Sequence, residues 1–123
     1  MPYIFCLRCE IHSGFYADYL VFESAINDKM TNMINAHHDA SVLVTGHSLG
    51  GAMAMVCGLE LRRVFAGIKL EIHTFGAPRI GTKQLAHHIN NKIENVYRVV
   101  RNRDIIPHLP PDLPKFEYHH PAY

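Results

Sequence analysis

Apolar residues recur every three or four positions between residues 15 and 36, where Phe15, Tyr19, Phe22, Ile26, Met30, Met33 and Ile34 form one stripe. That period predicts a long amphipathic helix over 15–36 with the stripe turned to a core. The pattern then changes. "SVLVTG", residues 41–46, is β-branched and has no polar interruption in its middle, as a strand buried on both faces reads. Residues 50–65 are rich in Ala, Met and Leu and stop near Gly67, which predicts a second helix of about four turns. "KLEIHTFG" (69–76) reads as a strand, "TKQLAHHINNKI" (82–93) as a short helix and "NVYRVVR" (95–101) as another strand. From Ile105 onward, five prolines between Pro107 and Pro121 leave loop or edge structure. Strand and helix alternating at such short spacings predict an α/β fold, a parallel sheet with right-handed crossover helices.

The junction at residue 46 carries the chemistry. Gly46-His47-Ser48-Leu49-Gly50 is a Gly-x-Ser-x-Gly sequence set between a strand and a helix. In that context the serine sits on a sharp turn that lifts its hydroxyl clear of the sheet, with glycines two before and two after keeping the crowded space free. N–H groups at the helix start have no intrahelical partner, so the Leu49 N–H is a candidate oxyanion donor. The plainer alternative is a glycine-rich turn with an ordinary N-cap serine. A serine nucleophile needs a base oriented by a carboxylate, and in this arrangement the acid follows a later strand. Asp104, just past "YRVVRNR", fits that slot, with a turn or capping aspartate as the plainer alternative.

Composition narrows the partners and the environment. With 123 residues the chain is one domain at most. Twelve Lys and Arg against eleven Asp and Glu give no electrostatic reason to expect nucleic acid or an anionic membrane as partner. No run approaches the roughly 18 apolar residues of a membrane span, and the N-terminus lacks the pattern of a signal peptide. Three cysteines cannot form a complete disulfide framework, which favours a reducing, cytoplasmic compartment. Cys6 and Cys9 form a Cys-x-x-Cys pair with nothing nearby to complete a metal set, and Cys57 reads as a helix residue packed in the core.

"IHSGFY", "VTGHSLGGAMA", "TFGAPRIGT" and "YRVVRNRDIIPHLPP" together resemble, in order and approximate spacing, the fungal-type class 3 triacylglycerol lipases. The resemblance covers most of residues 11–111. It implies a partial α/β-hydrolase fold with a nucleophile elbow, hydrolysis of lipid carboxylic esters, contact with a lipid–water interface, Ser48 as nucleophile and Asp104 as acid. No metal or organic cofactor is implied. The family's oxyanion loop and lid belong upstream of "HSGF", where only ten residues precede Ile11, and its catalytic histidine belongs beyond "PHLPP". The chain is therefore expected to be a single, incomplete lipase-like domain, residues 1–123, without its own base.

Of the ten histidines, His47 abuts the nucleophile but points its ring away, and His108 resembles a structural histidine of the family. His119 and His120 remain the candidates for a base within the chain. A non-catalytic remnant, or a lipid-contacting module without turnover, stands as the alternative to an esterase.

Overall fold

A computed structural model describes residues 1–111, 114 and 117–121. Its elements are α1 (Ser13–Ala36), β1 (Ser41–His47), α2 (Leu49–Val64), β2 (Lys69–Phe75), β3 (Gly81–Thr82), α3 (Lys83–Lys92), β4 (Asn95–Val99), a 3-10 turn (Ile106–His108) and β5 (Tyr118–His119). The strands β1, β2 and β4 form a parallel sheet in the order β1-β2-β4, with Ser41 opposite Lys69 and Glu71 opposite Asn95. Parallel pairing demands a crossover between strands, and α2 and α3 supply it. The short strands β3 and β5 form a separate antiparallel ribbon, which the sequence pattern does not announce.

One hydrophobic cluster holds the elements together. Ala52, Val56 and Leu59 of α2 pack on Leu70 and Ile72 of β2, with Tyr19 of α1 and Leu85 and Ile89 of α3 in the same cluster. Period 3.6 on the helices and period 2 on β2 bring these apolar positions to one side. The stripe on α1 is only partly core. Tyr19 and Met30 are buried, whereas Phe22 and Met33 are 56% and 59% exposed, because they flank the line of contact with α2.

β1 also departs from expectation. It alternates half-buried and exposed positions rather than being buried on both faces. Among the described residues β1 pairs on one side only, with β2, and the helices cover the face of Val42 and Val44, leaving Leu43 57% exposed. Cys6 and Cys9 are joined in a disulfide while Cys57 is a free, half-buried thiol of α2 whose burial pushes its pKa up to about 11. An odd cysteine count accommodates one bridge and one packed thiol, so it gives no ground for preferring a reducing compartment. Among the described residues no helix is long and apolar enough to cross a membrane.

Candidate active site

β1 ends at His47 and α2 starts at Leu49, so Ser48 alone makes the turn. Its backbone sits at φ 54° and ψ −121°, a conformation that non-glycine residues rarely hold and that costs of the order of 1–3 kcal/mol. An N-cap serine would have extended backbone angles and would accept a bond from the first helical turn through its side chain. Ser48 does neither. Its N–H donates to the Phe75 carbonyl at 2.9 Å, tying the turn to the end of β2, and its carbonyl accepts from Gly51 and Ala52. Leu49 is the first helical residue, so its N–H lies beyond reach of any intrahelical carbonyl.

The glycines around the turn are not equivalent. A Cβ on Gly46 would overlap the Gly50 carbonyl and stand 2.8 Å from the Gly51 nitrogen, so strand and helix can cross here only without a side chain. Gly50 is different from the expectation. Apart from its chain neighbours and the adjoining backbone of α2, no heavy atom of the described residues lies within 4 Å of where its Cβ would be.

Ser48, Gly76 and Asp104 follow β1, β2 and β4 respectively, so all three stand at the C-terminal edge of a parallel sheet, where α/β proteins build their sites. Gly76, at φ 60°, lies beneath the acid. A Cβ there would be 2.8 Å from Asp104 Oδ2 and 3.8 Å from His47 Nε2, so the carboxylate and the His47 ring both border this one glycine. Asp104 is half-buried. Its Oδ1 accepts from the Ile106 N–H at 3.0 Å, which leaves Oδ2 over Gly76. The family resemblance of "FGAPRIG" implies a strand-end turn with Gly76 and Pro78 in the wall of the active-site face; the contact of Gly76 with the Asp104 carboxylate is what the structure adds.

The two candidate bases lie in and just after β5, and one of them is bonded to the loop that carries Asp104. His120 Nε2 donates to the Pro107 carbonyl at 2.6 Å, because a carbonyl can only accept, and the proton is thereby fixed on that nitrogen. Burial, and the charges of Arg98, Arg79 and His108, outweigh that bond and pull the His120 pKa down to about 4, so the ring is neutral near pH 7. His119 lies in β5 opposite Gly81, with its Nδ1 on the Glu117 carbonyl.

The chain as a whole is similar to known proteins. The family model for class 3 lipases matches residues 2–113. The lipase of Rhizopus niveus is 36% identical over 119 residues, covering 92% of this chain and 29% of its own. Secreted mono- and diacylglycerol lipase 1 of Fusarium solani is 31% identical over 115 residues, covering 94% of this chain and 34% of its own. A solved triacylglycerol lipase, described as having a serine protease triad at its catalytic centre, superposes with a TM-score of 0.91 at 32% identity, over 98% of this chain and 46% of its own. The chain thus spans about a third or less of the length of these two curated relatives, and its architecture is the corresponding part of an α/β-hydrolase. The chain belongs to the class 3 lipase family.

Proposed function

We propose that residues 1–123 belong to one hydrolase domain and carry the nucleophile and the acid of a serine esterase that cleaves lipid esters, with Ser48 and Asp104 in those roles. The observation that carries the reading is the Ser48 backbone, strained where a capping serine would be relaxed and hydrogen-bonded. Ser48 Oγ attacks the ester carbonyl carbon as its proton passes to a histidine base. The oxygen that becomes negative accepts from the Leu49 N–H, and the departing alcohol takes the proton from the base. Water then releases the acyl group by the same route reversed.

The base in this reading is a histidine of the complete protein outside residues 1–123. His120 would have to leave the Pro107 carbonyl to serve, and its low pKa makes it a poor proton acceptor. Leu49 and Ile105, next to nucleophile and acid, are 53% and 67% exposed, a surface that suits acyl chains and contact with a lipid–water interface. The relatives named for triacylglycerol and for mono- and diacylglycerol substrates favour glycerol esters. The disulfide and the secreted relative favour an oxidising location over the cytoplasm.

The test is covalent labelling of the complete protein with a fluorophosphonate. Label is expected at Ser48 and is lost in Ser48→Ala. Equal labelling of the Ala variant would remove Ser48 from the nucleophile role, whereas no labelling of the native protein would leave the non-catalytic reading.

A further inference from the structure

Asp104 stands on an open turn. Arg101, Asn102, Arg103 and Ile105 around it are exposed, and Arg103 has φ 67°. Exposed loops hold no fixed geometry unless something outside them does. Inside the loop, the Asp104 N–H donates to Arg101, Asp104 Oδ1 accepts from Ile106, and the Asp104 carbonyl accepts from His108 Nδ1 at 3.1 Å. These bonds shape the turn but do not fix it to the sheet.

Arg79 does. Its backbone N–H donates to the Leu109 carbonyl at 2.7 Å, and its guanidinium Nη1 donates to the carbonyls of His108 at 3.0 Å and Pro110 at 2.8 Å. One residue thereby holds three successive carbonyls at the far end of the acid loop. A guanidinium nitrogen has two N–H groups in a fixed plane and can serve two carbonyls at once. Arg79 also lies three residues after Gly76, the glycine beneath the Asp104 carboxylate. The segment 76–79 therefore meets the acid loop at both ends, under the carboxylate and under residues 108–110.

We infer that Arg79 is a positioning residue for catalysis, which seats the Asp104 carboxylate by clamping the loop that carries it. This rests on the reading of Asp104 as the acid that orients the base. Arg79 touches no reacting atom in this scheme, and a displaced loop would misplace the carboxylate by a distance at which orientation already costs rate.

The experiment is a double-mutant cycle in the complete protein, with kcat, KM, the pH profile and the thermal midpoint measured for each variant. Arg79→Gln is expected to lower kcat about 10- to 100-fold with KM changed little, since misplacement of about 1 Å costs about that much. The acidic limb of the kcat/KM profile should move to lower pH, because a histidine that loses its carboxylate partner becomes a weaker base. Arg79→Lys, which keeps charge but not the fork, should recover part of kcat. In an Asp104→Asn background, Arg79→Gln should cost almost nothing further, because a clamp without its carboxylate has nothing to position. An equal loss in both backgrounds, or a loss below threefold in the native one, overturns the inference. A loss below tenfold for Asp104→Asn alone would instead overturn the assignment of the acid, so the two failures are distinguishable.

Discussion

Ser48 accepts strained dihedrals where an ordinary cap would gain a hydrogen bond, and the residues around it divide by how much space they have. Gly46 and Gly50 look alike in the motif, but only one is forced. A methyl group at 46 meets fixed backbone of α2, which cannot rotate aside, whereas a methyl group at 50 meets open space among the described residues. Gly46→Ala is therefore expected to destabilise the complete protein by about 1–3 kcal/mol, the range for overpacking a tight site. Gly50→Ala should leave stability unchanged or raise it by up to about 1 kcal/mol, since alanine suits a helix better than glycine does. Denaturant midpoints of the two variants check this, and a larger loss at 50 than at 46 would contradict it.

At the scale of elements, α2 starts directly after Ser48, the proposed nucleophile, and is anchored at its other end by a buried carboxylate. Glu60 is fully buried, with Oε1 accepting from the Tyr3 hydroxyl at 2.8 Å and Oε2 from Arg63 at 2.6 Å. Burial works against the Arg63 charge, but the hydrogen bond and charge of Glu60 outweigh it and raise the Arg63 pKa above its ordinary value. Arg63 also reaches Glu23 of α1 and lies 4.3 Å over the Phe5 ring, so one guanidinium joins α1, α2 and the N-terminal segment. Removing it leaves a fully buried carboxylate with the Tyr3 hydroxyl but without its cation. Arg63→Met should cost about 3 kcal/mol, at the low end for breaking a buried pair because Arg63 is itself a third exposed. The expected readout is a lower denaturant midpoint at unchanged slope; a change under about 0.5 kcal/mol, the size of a surface substitution, would contradict the anchor.

For the whole molecule, the proposed function gives Ser48 and Asp104 the roles of nucleophile and acid and takes the base from outside residues 1–123. A neutral serine hydroxyl is a weak nucleophile at pH 7 unless a base takes its proton. Residues 1–123 expressed alone are expected to hydrolyse a short-chain nitrophenyl ester no faster than their own Ser48→Ala variant. Turnover well above that control would make His119 or His120 the base, and replacing each by Ala would identify it.

What the sequence determined by itself is what local pattern can encode. Period 3.6 predicted α1, and a run rich in Ala, Met and Leu predicted α2, each to within a residue or two of its observed ends; short strand-like segments marked β1, β2 and β4, and Gly-x-Ser-x-Gly between strand and helix located the elbow. Only the tertiary structure decided which sides of those elements meet. Phe22 and Met33 share the stripe of Tyr19 but fall beside the contact with α2, and β1, which reads as a buried strand, pairs on one side only among the described residues. The seat of Asp104 over Gly76, the Arg79 clamp and the Glu60 anchor all join residues far apart in the chain. Such bonds depend on where a carbonyl or carboxylate arrives in space, and hydrophobic periodicity records only which face of an element is apolar.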